Sequence, residues 1–176
     1  MDTIPDFDIA ALFAALDEQR KARALSWRGV ADALWAQSAV LNARRGDHPI
    51  SPATITGMAR RGDTTCQHAL FMLRWLGRSA ESYVPGAIIA DGAAALPAAG
   101  ADQRLRWNLR ALYAAMDARR HECDMTWQQL AVTLRCTPSQ LTGLRTARFA
   151  TSMVLAMRIV QWLKRPASDF IYAAQW

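Results

Sequence analysis

The 176-residue chain repeats itself. "ALFAALDEQRKARALSWRGVADAL" (Ala11 to Leu34) lies over "ALYAAMDARRHECDMTWQQLAVTL" (Ala111 to Leu134) at a constant offset of 100, without a gap. Ala11, Leu12, Asp17, Arg20, Trp27, Ala31 and Leu34 recur as Ala111, Leu112, Asp117, Arg120, Trp127, Ala131 and Leu134. Further on the offset drops to 86, matching Pro52, Thr56 and Gly57 to Pro138, Thr142 and Gly143. Past an Arg cluster it becomes 87, and Trp75-Leu76 falls on Trp162-Leu163. Two copies of one unit therefore account for most of the chain, and whatever one copy folds into the other must also accommodate. The expected organisation is a first domain over 1–84, a linker over 85–103 and a second domain over 104–176. The linker, "PGAIIADGAAALPAAGADQ", is rich in Ala, Gly and Pro.

Each copy reads as helical. Ile9, Leu12, Phe13 and Leu16 form one apolar stripe, as do Leu105, Leu109, Leu112 and Met116. Ser26 and Thr126 are N-caps of a second helix, each inside a hydrophobic staple (Leu25 with Val30, Met125 with Leu130), and Gln129 completes a capping box with Thr126. A third helix starts at Ser51 and at Thr137, with Pro52 and Pro138 at the first helical position, where a missing N–H costs nothing. Thr137 and Gln140 have the spacing of a further capping box. A fourth helix over 65–76 and 152–163 and a short closing element complete each copy. With no period-2 alternation, the expected fold is all-α: two tandem bundles of about five helices each.

Composition narrows the function classes. A net charge of +6 points modestly to a polyanionic partner. It divides unevenly: residues 1–87 carry 10 basic and 9 acidic groups, residues 88–176 carry 11 and 6. The acidic start, "MDTIPDFDIAALF", is unlike a signal peptide, and no apolar run approaches the ~18 residues of a membrane span. Cys66, Cys123 and Cys136, odd in number and scattered, suit a reducing cytoplasm. With His48, His68 and His121 they complete no metal set, and no phosphate loop or activated nucleophile is recognisable, so neither an enzyme nor a cofactor is expected. Asp17 with Arg20, and Asp117 with Arg120, are better read as structural pairs than as catalytic groups. Trp27, Trp75, Trp127 and Trp162 read as core or core-edge residues rather than stacking platforms for single strands.

In the second copy only "RC" separates Leu134 from the Thr137 cap. A helix, a tight turn and a capped helix with a polar first turn form the helix-turn-helix arrangement. The stretch "MTWQQLAVTLRCTPSQLTGLRTARFATSMVLAMRIVQWL" (Met125 to Leu163) resembles the Cro/lambda-repressor-like, or XRE, family, whose third helix lies in the DNA major groove. Two departures stand out. That family often carries a Glu late in the third helix, paired with an Arg on the first; Ala59 and Arg145 stand there, leaving Arg20 and Arg120 without that partner. The first copy's turn is also swollen by 14 residues, "AQSAVLNARRGDHP" (Ala36 to Pro49), through which the second helix is expected to continue past Leu41 and stop at Gly46.

The resemblance implies which residues meet double-stranded DNA. Base edges fall to Ser139, Gln140, Thr142 and Arg145 in copy two, and to Ala53, Thr54, Thr56 and Arg60 in copy one. Phosphate contacts fall to Arg44, Arg45, Arg61, Thr137, Arg148 and Gln128. Gly57 and Gly143, costly inside a helix, imply close approach either to DNA or to another helix. The expectation is a cytoplasmic, nucleoid-associated bacterial transcriptional regulator reading a bipartite, asymmetric site. A flexible 19-residue linker would span roughly 24 Å, within reach of half-sites ~34 Å apart when stretched. No small-molecule domain is evident, and a homodimer or another regulatory protein are possible partners. Two other readings stand beside it: an adaptor that binds other regulators or RNA polymerase, and an architectural protein that holds DNA without reading bases.

Overall fold

The computed structural model describes residues 3–87, 95–148 and 150–176. Copy one supplies α1 (Ile9–Ala22), α2 (Trp27–Ala36), α3 (Ala39–Asn42), α4 (Pro52–Arg61), α5 (Cys66–Leu76) and a 3-10 turn at Glu81–Tyr83. Copy two supplies strand β1 (Arg104–Trp107), α6 (Leu109–Glu122), α7 (Trp127–Thr133), α8 (Pro138–Gly143), α9 (Met153–Leu163), a 3-10 turn at Ala167–Phe170 and strand β2 (Ile171–Ala174). The first-copy helices α1, α2, α4 and α5 correspond to α6–α9.

Most helices begin on a side-chain oxygen that accepts an otherwise unpaired N–H of the first turn. Asp8 and Asn108 cap α1 and α6, and Ser26 and Thr126 cap α2 and α7. Ser51 and Thr137 cap α4 and α8, and Thr65 and Ser152 cap α5 and α9. Both expected capping boxes form, Thr126 with Gln129 and Thr137 with Gln140. Arg20 and Arg120 turn to their own helices and the following corner: they pair with Asp17 and Asp117 at 2.7 Å and donate to the Leu25 and Met125 carbonyls. Each guanidinium also lies over a Trp ring, Trp27 or Trp127, that stacks on Phe13 or Tyr113.

The all-α expectation of two five-helix bundles is overturned. β1 and β2 form an antiparallel two-stranded sheet pairing Arg104 with Ala174 and Trp107 with Ile171. Leu105 thus lies in a strand, and the stripe of α6 starts at Leu109. Copy one shares the entry to this arrangement: Asp8 N–H donates to the Tyr83 carbonyl as Asn108 N–H donates to that of Phe170, both at 2.7 Å. Among the described residues copy one shows no ladder beyond that point; Pro85 stands at the position of Tyr172, the ladder partner of Arg106, and proline brings no N–H to a ladder.

The two copies also bury their apolar residues in one hydrophobic cluster, which contains Leu12, Leu34 and Met72 of the first together with Leu112, Leu134 and Met157 of the second. Helix α5 packs on α9 and on β1. Residues 88–94 of the expected linker lie outside the described residues. Its last part runs under Arg74, which donates to the carbonyls of Ala99, Gly100 and Gln103. The inserted segment of copy one docks on the same strip. Instead of prolonging α2 to Gly46, it breaks at Gln37-Ser38 and forms α3, where Val40 and Leu41 donate N–H to Ala101 and Ser38 donates its hydroxyl to Gln103. Arg104, 6% exposed, ties β1 to this segment by an ion pair to Asp47 and a bond to Asn42.

Candidate nucleic-acid interface

The junction between the copies lies at the caps of α5 and α9. Cys66 N–H donates to Thr151 O and Met153 N–H donates to Thr64 O, each at 2.8 Å, and Thr65 and Ser152 form an antiparallel bridge. Under the repeat Thr64, Thr65 and Cys66 are the counterparts of Thr151, Ser152 and Met153. Each copy therefore makes to the other the bond that the other makes to it, the mark of a local two-fold axis. The segments ahead of α1 and α6 cross over in the same sense. Arg158 of α9 pairs with Asp6 at 2.6 Å, as does Arg135, which also donates to the Ile4 carbonyl. On the other side Gln67 of α5 donates to Leu105 O, and Trp107 Nε1 donates to Cys66 O.

The first turns of α4 and α8 open beside this junction. Ser51, Ala53, Thr54 and Arg61 line one cleft with Thr65, His68 and Ser152; Ser139, Gln140 and Gly143 line another with Thr151, Ser152 and Leu155. The clefts meet at Ala150 and Ser152, so both first turns flank one strip of surface. Asp63 crosses it, accepting from the Ser152 hydroxyl and from Val154 N–H, a second cap for α9. Burial, reinforced by the Arg61 charge, holds the His68 pKa below the ordinary histidine value. Burial pushes the Cys66 thiol up to about 12, so it stays protonated.

The residues expected at base edges have distinct local environments. Ala53 is exposed and Thr54 half-buried, its hydroxyl bonded to that of Ser51. Thr56 and Thr142 back-bond to the Pro52 and Pro138 carbonyls at 3.2 Å, a shared feature of the two copies. Ser139 shares a hydrogen bond with the Thr137 hydroxyl, and the Gln140 side-chain oxygen accepts from Thr137 N–H and Oγ1, which leaves its amide nitrogen as the outward group. Arg145 lies beyond the end of α8 in a tightened turn, its N–H donating to Thr142 O. The side chains of Arg60, Arg145 and Arg148 are exposed and bond to none of the described residues.

Among the expected phosphate contacts, Arg61 folds back to donate to Thr54 O, across Gly57. Thr137 is spent as a cap, and Gln128 is exposed on α7. Arg44 is exposed without a bond among the described residues. Arg45 is paired with Asp47 at 2.5 Å, where the Arg45 and Arg104 guanidinia hold the Asp47 carboxyl down at about 2. Among the described residues a Cβ at Gly143 would meet nothing within 4 Å, and the atoms nearest to one at Gly57 belong to the Arg61 guanidinium. Sequence reasoning missed Asp63, Ala150 and His68 as residues of the strip; the repeat marked Thr65 and Ser152 only as helix starts. No family model, curated protein or solved structure matches the chain. No helix among the described residues is long and apolar enough to cross a membrane.

Proposed function

We propose that the chain is a sequence-specific, double-stranded DNA-binding transcriptional regulator of the XRE helix-turn-helix type, acting in the bacterial cytoplasm on the nucleoid. In this reading α4 and α8 are the recognition helices, and α2 and α7 are the first helices of the two helix-turn-helix units, with α3 inserted in the turn of the first. The observation that carries it is the pairing of two capped, exposed helix starts across one strip of surface. Helix N-termini favour anions, and short polar side chains there can reach base edges. Arg60, Arg145 and Arg148, exposed without ion-pair partners among the described residues, are available to phosphates. The two helix starts carry different residues, so the two half-sites differ.

The test is selection of binding sites from a random duplex pool at about 150 mM salt, where non-specific contacts are weakened. The intact chain is expected to recover a motif of two unlike half-sites. Retention of DNA without a motif would indicate an architectural protein, and no retention would overturn the DNA reading.

One observation favours the adaptor reading. Val132 of α7 is 70% exposed and edges an apolar groove of about 730 Å³ lined also by Ile4, Met125 and Trp162. If the duplex pool retains nothing, this groove is where a protein partner would dock.

A further inference from the structure

Resting on the DNA-binding reading, we infer that a single chain spans a complete operator made of two unlike half-sites in inverted orientation at one fixed spacing. Symmetry decides orientation: readers related by translation meet half-sites in direct repeat, whereas readers related by a two-fold meet them inverted. Here the relation is a two-fold. The Cys66-to-Thr151 and Met153-to-Thr64 bonds are reciprocal, and they join residues that are counterparts under the repeat. A tandem array in which the second copy followed the first by translation would bring unlike faces together and could not form both.

Spacing is fixed by the same contacts. The backbone bridge at Thr65 and Ser152, the Asp63 cap on α9, and the crossed-over segments at Asp6 and Trp107 hold α5 against α9. The recognition helices lie directly before α5 and α9 in the chain, so a shift of one reader relative to the other must break these bonds. A flexible tether imposes no such constraint and accepts many spacings. Stoichiometry follows as well, because both readers belong to one chain and the two-fold is already occupied within it.

The half-sites are unlike because the readers are. Helix α4 presents Ala53, Thr54 and Thr56 with the Arg61 guanidinium laid across Gly57. The α8 reader presents Ser139, the Gln140 amide nitrogen and Thr142, with Gly143 bare and Arg145 extended beyond the helix end.

The experiment alters the DNA and leaves the protein intact. The site selected from the random pool is rebuilt with about 5 and about 10 base pairs (half a turn and one turn) inserted between its halves, and with one half reversed into direct repeat. Binding of the full chain to each is titrated, and the mass of each complex gives chains per duplex. The expected result is one chain per selected site and a loss of at least ~100-fold for all three alterations, since each leaves only one half engaged. Full affinity for the reversed or re-spaced sites, or two chains on the selected site, would overturn the inference while leaving DNA binding intact. If the intact chain recovers no site from the pool, the DNA-binding reading fails and this inference with it.

Discussion

Gly57 has Arg61 lying across it: a Cβ there would come within 2.4 Å of the guanidinium, and a Cβ at Gly143 would meet none of the described residues within 4 Å. In the free protein both glycines therefore look wasteful, since Ala in a helix is better by roughly 0.5–1 kcal/mol. Neither site forbids the extra methyl, because the nearest neighbour at Gly57 is the far end of a flexible side chain. Gly57→Ala and Gly143→Ala are expected to raise the free energy of unfolding in urea by about 0.5–1 kcal/mol each. Both should weaken duplex binding, Gly57→Ala also by displacing Arg61 and Gly143→Ala by holding α8 off the groove. A gain in stability with unchanged affinity would remove the close-approach explanation. The two glycines were legible from the repeat alone, as was the run of hydroxyl residues around them. Arg61's fold-back was not, because it depends on which way a long side chain lies rather than on spacing.

Among elements, the helix starts were readable because a cap is a local matter of three or four residues, and Ser26, Ser51, Thr126 and Thr137 all cap where the sequence places them. The strands were not readable. Four residues each are too few to show alternation, Arg104 is buried by an ion pair rather than by apolarity, and β2 lies far along the chain from its partner. Helix ends offer a direct check. Gly77 closes α5 in the left-handed region, and its counterpart Lys164 closes α9 there at φ 55°, where a Cβ is strained. Lys164→Gly should stabilise the chain by about 0.5–1 kcal/mol, read as a rise in Tm, and a fall would show that the lysine side chain contributes more than its backbone costs. The inserted segment is held by Asp47, whose carboxyl sits at about 2 because Arg45 and then Arg104 donate to it. A pKa lower in the folded than in the unfolded chain stabilises the fold above the unfolded value near 3.8, and that contribution is lost as pH falls through about 2. Asp47→Asn should therefore unfold more easily than the unaltered chain at neutral pH, with the difference closing below about pH 4. A difference that persists undiminished to about pH 2 would contradict this role.

For the whole molecule, what the sequence shows as two tethered units is in three dimensions an interlocked pair. The cause is long-range: Asp6 with Arg158, Trp107 with Cys66, Asp63 with Ser152 and Glu81 with Ala167 N–H join residues tens of positions apart, and no local pattern announces them. With one continuous core, the chain is expected to melt in a single transition whose calorimetric and van't Hoff enthalpies agree; two resolved transitions would mean that the halves fold independently. In the DNA-binding reading, the strip between α4 and α8 is the surface that meets DNA. Amide chemical-shift mapping on titration with a duplex carrying the selected site is the direct test. The largest shifts are expected on the first turns of α4 and α8, around Thr54, Thr56, Ser139 and Thr142, and on Thr65 and Ser152 between them. Shifts confined to one copy, or centred on Val132 and Trp162, would contradict it.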